Sequence, residues 1–394
     1  MQSNNPRTLL ADAWQSFADQ IAASATTVAA AEFADSERDQ AEGHRYLARL
    51  IAYAIQEQFG FADPEFPAFH RGLDDLAPWG APNVDNVYLM ASIDGRSRYR
   101  IHGNVKSIAG FIIGVNEGVY PVFPGYKTVA EISHHELQIA DDGSFELILS
   151  ADPQPGNWIR LSPNARGVGI RQYLVDWEQH QPAEFHIDKI GNEGKAPPPL
   201  TAERTAQALH DAVDWAQTLA AYYLKRLQTE RSARTANVLP PPEKKVPGSA
   251  YTHYGIAFYE LAEDEALLIE MPAEPAPYWS FQLYNLWNEF TDPANRITSI
   301  NHQQAHIDED GIFRAVIAHR DPGTANWLDT AGYRQGYLWY RWIWAEHVPV
   351  PVGQVVKLDA LDSLLPEGAA RVSPIQRRDM VMARRAHFEA RYHR

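Results

Sequence analysis

A polar segment at residues 82–88, PNVDNVY, holds side chains that could carry out acid–base chemistry. Asp85 and Tyr88 could exchange protons with a substrate if folding brings them into one cleft. Asn83 and Asn86 add amide donors and acceptors that could hold that substrate. The same residues could instead form an Asx turn that leads into a strand. We therefore predict a catalytic pair, Asp85 and Tyr88, next to two substrate-binding amides.

Two arginines lie within apolar, strand-like runs, Arg171 in VGIRQYLVDW and Arg341 in YLWYRWIW. A buried guanidinium needs a carboxylate or a ligand anion to offset its loss of water. An internal salt bridge or an outward-facing strand position is the alternative. We predict that Arg341 stabilises negative charge that develops during catalysis and that Arg171 binds substrate. His319 is a further acid–base candidate, and we expect Arg341 and Asp85 to face one cleft.

Aromatic side chains are concentrated in the C-terminal half of the chain, where they could form the walls of an apolar ligand pocket. They could equally fill a sandwich core and a domain interface. Two Asn-Trp pairs, at 157–158 and 326–327, each follow a Pro/Gly turn and could be a repeated structural corner or part of a site. The predicted substrate-binding residues in this half are Tyr278, Trp279, Tyr284, Trp287, Asn326 and Trp327.

Composition excludes several classes of protein. The 394 residues include no cysteine, so disulfides and thiolate chemistry are absent. A formal net charge of −15 argues against nucleic-acid binding. A mean hydropathy of −0.39, with no apolar run of about 18 residues, predicts no membrane span. The N-terminus lacks a basic region followed by an apolar core, so we expect no secretion signal and a cytoplasmic location.

Standard cofactor and metal motifs are also missing from the sequence. There is no GxSxG elbow, no phosphate-binding P-loop and no complete GxGxxG. His134 and His135 are adjacent, which would place them on opposite faces of a strand rather than around one metal ion. We therefore expect neither a cofactor nor a bound metal.

The pattern of apolar residues indicates helices at both ends and in the middle of the chain, with segments rich in β-forming residues between them. Residues 8–60 show helical spacing, and Ser36 is a plausible N-cap. From about residue 85 short β-rich runs, ELQIA (136–140) among them, are separated by Gly, Asn and Asp-Gly turns, which favours antiparallel sheets. Thr201 can cap a helix of about 28 residues. A strand-like sequence pattern resumes at residue 254. Ser373-Pro374 predicts the start of a final helix.

An internal repeat indicates a domain duplication. IADDGSFELIL (139–149) aligns with IDEDGIFRAVI (307–317), and an Asp-Pro, an Asn-Trp and an arginine follow in the same order in both copies. We predict a mainly β protein with two related antiparallel β-sandwich or jelly-roll domains and accessory helices. The predicted segments are a helical region at 1–79, a first β-domain at 80–192, linkers and a central helix at 193–249, a second β-domain at 250–355 and a basic helix at 356–394.

The second copy resembles a known family. AHRDPGTANWLDTAGYRQGYLWYRW (318–342) and PYWSFQLYNLWNE (277–289) are similar to the DUF1214 domain. PNVDNVYLMASIDG (82–95) is more loosely similar to the DUF1254 module that precedes it. The resemblance implies paired β-sandwich or jelly-roll domains and names no activity.

Together these patterns favour an enzyme that acts on a hydrophobic small molecule such as a steroid, a terpenoid or an aromatic compound. It would use acid–base chemistry without a redox cofactor, as a hydrolase, lyase or isomerase. A non-catalytic small-molecule-binding protein and a structural oligomer of jelly-roll domains are the alternatives, and we expect a homo-oligomer. An enzyme should hold a titratable group with a shifted pKa in its pocket, whereas a binding protein should not.

Overall fold

The computed structural model describes residues 5–122, 125–244 and 249–392. Residues 245–248 of the predicted linker segment at 193–249 and Arg394 in the predicted final helix therefore lie outside the described residues. Within the described part of the chain, no helix is both long enough and apolar enough to cross a bilayer.

The described residues form four α-helices, where the sequence pattern predicts helical segments. Side chains of Asn5, Ser36 and Thr201 accept backbone N–H bonds at the starts of the first three helices. The first three helices pack on one another around a shared apolar cluster. The helices are α1 (Pro6–Ala29), α2 (Glu37–Gly60), α3 (Ala202–Ser232) and α4 (Pro374–Tyr392).

The described part of the first repeat contains nine strands. They are β1 (His70–Arg71), β2 (Asn86–Ser92), β3 (Tyr99–Asn104), β4 (Gly110–Glu117), β5 (Lys127–Ser133), β6 (Ser144–Ser150), β7 (Trp158–Arg160), β8 (Ala165–Tyr173) and β9 (Glu184–Lys189). A five-stranded sheet has the order β1-β2-β8-β4-β5, and a four-stranded sheet has the order β7-β6-β3-β9. The apolar faces of the two sheets enclose one core.

Nine further strands lie in the described part of the second repeat. They are β10 (Glu243–Lys244), β11 (Thr252–Glu260), β12 (Glu265–Pro272), β13 (Tyr278–Tyr284), β14 (Ser299–Asn301), β15 (Ile312–Ala318), β16 (Trp327–Asp329), β17 (Gln335–Ile343) and β18 (Val352–Lys357). The five-stranded sheet has the order β10-β11-β17-β13-β14, and the four-stranded sheet has the order β16-β15-β12-β18. Adding nine to each strand number of the first repeat reproduces this arrangement.

The predicted fold of two related β-sandwiches with accessory helices is therefore confirmed. Both repeats also contain one parallel pair, β6 with β7 and β15 with β16, among otherwise antiparallel pairings of the described strands. Two local expectations were wrong: ELQIA (136–140) is not a strand, and His134 and His135 do not lie on opposite faces of one, because their ring centres are 3.8 Å apart in a 3₁₀ turn. ELQIA (136–140) begins in a 3₁₀ turn at His134–Glu136, because Ser133 and Glu136 form a reciprocal capping box that ends the strand.

The Asn-Trp pairs form the same corner in both repeats. The amide of Asn157 donates to the carbonyls of Gln138 and Glu146 at 2.8 and 2.9 Å, and its oxygen accepts from Gln138 N at 2.7 Å. Asn326 makes the matching bonds to His306 and Arg314, at distances of 2.7 to 2.8 Å. Each asparagine therefore ties three backbone groups together.

The five-stranded sheets of the two repeats face each other. Ile112 and Tyr173 from the first pack against Tyr278 and Ile343 from the second. A second apolar cluster joins the same sheets to α3 and α4. This interface is where side chains of both repeats can meet.

Replacing the two corner asparagines tests the role of burial in this repeated motif. Asn326 is 4 % exposed, whereas Asn157 is half-buried. We expect Asn326→Ala to lower the free energy of unfolding by about 2–4 kcal/mol and Asn157→Ala by about 1–2 kcal/mol, because the orphaned backbone groups at Asn157 can bond to water. Urea denaturation of both variants measures this difference, and equal losses would contradict it.

Candidate functional site

A cavity of about 240 Å³ lies between the two repeats and α3. Strands β2, β4 and β8 of the first repeat and β11 and β17 of the second contribute to its walls. Helix α3 and the segments around Trp79 and Tyr120 cover the remaining sides. The cavity therefore exists only because the two repeats are held together.

Matching residues of the two repeats line this cavity as two tyrosine–arginine pairs. Tyr88 lies opposite Arg171 in the pairing of β2 with β8. Tyr254 lies opposite Arg341 in the equivalent pairing of β11 with β17. The duplication thus brings two arginines and two tyrosines into one cavity.

The arginines of the cavity differ in their counter-ions. Arg171 Nη1 lies 3.3 Å from Glu131 Oε1, and Arg226 Nε on α3 lies 3.1 Å from Glu230 Oε1. Arg341 is 3 % exposed and has no carboxylate partner among the described residues. Its Nη2 donates to the Tyr284 hydroxyl at 3.0 Å, and its Nε has no hydrogen-bond partner. The cavity wall therefore contains one buried cation without a counter-ion.

Aromatic rings form much of the remaining wall. The Trp339 ring has the Arg226 guanidinium 5.4 Å and the Arg341 guanidinium 5.7 Å from its centroid. Trp79 stacks on Tyr120 at 5.6 Å, and the hydroxyls of Tyr120 and Tyr223 are 2.7 Å apart. The cavity thus combines basic groups with flat apolar surfaces.

The Tyr88 hydroxyl is the titratable group of the predicted catalytic set that lies in the cavity beside the arginines. Burial raises its pKa, and the nearby Arg341 cation partly offsets that shift. The hydroxyl oxygen accepts from Asn83 N at 2.8 Å. Tyr88 is therefore protonated at neutral pH and can donate a hydrogen bond into the cavity.

Asp85 lies in a separate buried cluster rather than in the cavity. Its carboxylate accepts bonds from Tyr278 OH at 2.6 Å, Trp177 Nε1 at 2.7 Å and Asn301 Nδ2 at 3.1 Å. Because Tyr278 and Asn301 belong to the second repeat, these bonds join the repeats. We call Asp85, Trp177, Tyr278 and Asn301 the Asp85 cluster.

Helix α4 closes this cluster. The guanidiniums of Arg384 and Arg391 lie 4.3 and 4.5 Å from the ring centre of Trp177. Burial lowers the pKa of Arg384, and the charge of Asp85 opposes that shift. Arg391 also donates to the carbonyl of Val84 at 2.5 Å. The basic helix therefore stabilises the junction between the repeats.

The structure does not bring Asp85 and Tyr88 together as an acid–base pair. Asp85 and Arg341 do not share a cleft either, and the side chains of Tyr284, Gln282 and Asn83 lie between them as a chain of hydrogen bonds. His319 is outside the cavity, bound to Thr330 Oγ1 at 2.7 Å and Leu261 O at 3.2 Å.

Of the predicted binding residues, Arg171 lines the cavity and the others lie outside it. Tyr278, Tyr284 and Asn83 take part in the hydrogen bonds that join the repeats, and Asn86 starts β2 nearby. Of the remaining candidates, Trp279 lies in the core of the second sandwich, Trp287 packs among α1, α2 and α3, and Asn326 and Trp327 form the corner described above.

The sequence analysis missed several residues of the cavity. Tyr254 could have been found by extending the internal alignment from Arg171 and Arg341 to the strands that pair with them. No local signal marked Arg226 or Trp79, because the contacts that place them are made by distant parts of the chain.

A larger cavity of about 650 Å³ adjoins the first and shares Trp79 and Tyr120 with it. Its other wall contains Glu57, Asp211 and Asp214. Burial raises the pKa of Glu57 to about 7, with a hydrogen bond from Tyr53 opposing the shift. The acidic lining sets this cavity apart from the basic one. Within the described residues, no three His, Asp or Glu side chains are grouped to hold a metal ion.

Comparisons with other proteins agree with this architecture. Residues 259–347 match the model of the family described as "Protein of unknown function (DUF1214)". A crystal structure of an uncharacterized protein from Burkholderia cenocepacia is 32% identical, covers 90% of this chain and 100% of its own, and has a TM-score of 0.84. The chain belongs to the DUF1214 family. The DUF1214 match covers β12 to β17 and begins within β11, so it spans most of the second repeat.

A protein from Vibrio parahaemolyticus is 14% identical over 79% of this chain and 98% of its own, with a TM-score of 0.44. No curated protein matches the sequence.

Replacing Asp85 tests whether its cluster holds the repeats together. Asp85→Asn keeps the size of the side chain but removes an acceptor and the charge. We expect the free energy of unfolding to fall by about 3 kcal/mol, because buried donors lose their partner. Urea denaturation followed by tryptophan fluorescence measures the loss. Asp152→Asn, at an exposed position, is the control and should change stability by less than about 0.5 kcal/mol; an equal effect of the two substitutions would contradict this role.

Proposed function

We propose that the cavity between the repeats binds a small organic anion with an apolar, aromatic body. One observation carries this proposal: Arg341 is buried at the cavity wall without a counter-ion among the described residues. A lone buried cation is unfavourable in the free protein, and a ligand anion would supply the missing partner. The anionic group would contact Arg341, with the Tyr88 and Tyr254 hydroxyls as further donors.

The aromatic walls suit the body of such a ligand. Trp339, Tyr254 and Ile256 offer apolar surface next to Arg341. Small-molecule sites for drug-sized ligands usually measure about 300–1,000 Å³. A cavity of about 240 Å³ therefore favours a compact aromatic acid over a steroid or a larger terpenoid.

Binding without turnover is the function that this geometry supports best. Two of the three groups predicted to exchange protons, Asp85 and His319, are hydrogen-bonded to other parts of the fold. Only Tyr88 of the predicted catalytic set lies in the cavity together with Arg341. Among the described residues, the cavity wall therefore holds donors for an anion but no carboxylate or imidazole base.

Replacing Arg341 separates a binding role from a structural one. Arg341→Met keeps most of the side-chain volume and removes the charge. We expect affinity for an aromatic monocarboxylate such as benzoate or cinnamate to fall at least tenfold in isothermal titration calorimetry, since a charge-assisted bond contributes roughly 1.5–3 kcal/mol. The free energy of unfolding without ligand should rise by about 1–3 kcal/mol, because an unpaired buried charge is removed.

The matched control is Arg314→Met. Arg314 contacts Glu270, Asp308 and Asp310 at 2.7 to 2.8 Å on the surface of the second repeat. Its replacement should lower stability and leave anion binding unchanged. A loss of stability in Arg341→Met together with unchanged binding would overturn the proposal.

A second candidate function is an enzyme in which the Tyr88 hydroxyl donates a proton to a carbon or oxygen atom of the bound anion. The observation that favours it is the position of the Tyr88 hydroxyl in a cavity lined by three arginines of the described chain. These cations would stabilise the phenolate that forms when the proton leaves. This second candidate agrees with the acid–base chemistry of a lyase or isomerase that the sequence predicts.

Tyr88→Phe tests the catalytic candidate on any ligand that the titrations reveal. Turnover should fall at least 100-fold while affinity changes less than about threefold, since general acid catalysis contributes roughly 10²–10⁴-fold. Because the pKa of Tyr88 is raised, the wild-type rate should stay flat from about pH 6 to pH 9. Tyr254→Phe, the matching change in the second repeat, should leave turnover in place. Equal turnover in Tyr88→Phe and wild type would exclude Tyr88 as the acid.

Three further expectations stay predictions. The first repeat is proposed to be a DUF1254-like module, on the similarity of residues 82–95 alone. A homo-oligomer and a cytoplasmic location rest on sequence composition and on the fold class. Mass measurement in solution would test the oligomer directly.

A further inference from the structure

Arg171 and Arg341 occupy matching positions in the two repeats, but the residue that faces the arginine differs between the repeats. In the first repeat Glu131 on β5 pairs with Gly114 on β4, and its carboxylate reaches Arg171. In the second repeat the same position on β14 is Ser299, which pairs with Gln282 on β13. The duplication has therefore kept both arginines but only one of their possible counter-ions.

Local packing explains why the first repeat has room for the carboxylate. A Cβ atom added at Gly114 would lie 3.5 Å from Cγ of Glu131, so a longer side chain there would meet the Glu131 side chain. Glu131 also accepts a bond from Ala250 N, in the second repeat, at 2.7 Å. In the second repeat Gln282 fills the equivalent space and bonds to Asn83 at 2.6 Å.

The charged side chains in and next to the cavity wall leave it with a net positive charge. Three guanidiniums line it among the described residues, those of Arg171, Arg226 and Arg341. Glu131 and Glu230 each neutralise one of them. One positive charge is left over, at Arg341.

We propose that the cavity selects ligands with a single negative charge and that Glu131 sets this selectivity by neutralising Arg171. This inference rests on the proposed anion-binding function and narrows its ligand class to aromatic monocarboxylates. A second carboxylate on the ligand would be transferred from water into the cavity without a free cation to meet it. Glu131 acts through Arg171, so it is a positioning residue rather than a ligand contact.

The test compares matched acids that differ by one carboxylate. Calorimetric titrations of the full chain at pH 7.5 would use benzoate against isophthalate and cinnamate against 4-carboxycinnamate. In wild-type protein each monocarboxylate should bind at least tenfold more tightly than its dicarboxylate partner. Glu131→Gln releases the charge of Arg171, so dicarboxylate affinity should rise at least tenfold while monocarboxylate affinity changes less than threefold.

Two further variants keep the test decisive. Glu230→Gln releases Arg226 instead and does not disturb the contact to Ala250, so it should shift selectivity in the same direction even if Glu131→Gln folds poorly. Glu146→Gln removes an exposed carboxylate on β6 and should leave the ratio unchanged. A merely structural role of Glu131 would lower both affinities together and would not change their ratio.

The outcomes separate the inference from the function on which it rests. Equal wild-type affinities for mono- and dicarboxylates, with loss of both in Arg341→Met, would overturn the charge selectivity and leave anion binding standing. A wild-type preference that neither Glu131→Gln nor Glu230→Gln alters would overturn the role of the counter-ions. Absence of binding by every monocarboxylate would overturn the proposed function itself.

Discussion

The buried carboxylate of Asp85 is the contact on which the arrangement of the two repeats depends. It accepts bonds from Trp177 of its own repeat and from Tyr278 and Asn301 of the other. Three donors on one desolvated carboxylate fix both the distance and the orientation of the partners, because each bond is directional and costly to break. The cavity beside this junction has walls from both repeats, so its shape follows from the Asp85 cluster.

Duplication explains both the likeness and the difference of the two halves. The amide of Leu174 bonds to the Asp85 carbonyl at 2.8 Å, and the amide of Trp344 bonds to the Tyr251 carbonyl at 3.0 Å, so the backbone joins each repeat in the same way. The side chains at the two matching acceptor positions differ, because one residue is Asp85 and the other is Tyr251. The scaffold is thus repeated while the chemistry at the interface has diverged.

The fold could be predicted from the sequence because its signals are local. Cap residues such as Ser36 and Thr201, Asp-Gly turns and the repeat itself are all read within short windows. Arg171, Arg341 and Tyr88 could be found because a charge or a hydroxyl within an apolar run stands out. Asp85 stood out for the same reason, yet its partners lie between 92 and 216 residues away along the chain, so the sequence could not show that donors from the other repeat already surround it.

The tyrosine hydroxyl of Tyr284 connects the cavity to the junction. It accepts a bond from Arg341 at 3.0 Å and lies 2.5 Å from the Pro82 carbonyl and 2.6 Å from Gln282 Oε1. An anion on Arg341 would draw that guanidinium toward the cavity and weaken its bond to Tyr284, whereas the bonds of Tyr284 to the segment before Asp85 would remain. The proposed ligand binding would therefore be linked to the stability of the inter-repeat contact through one shared hydroxyl.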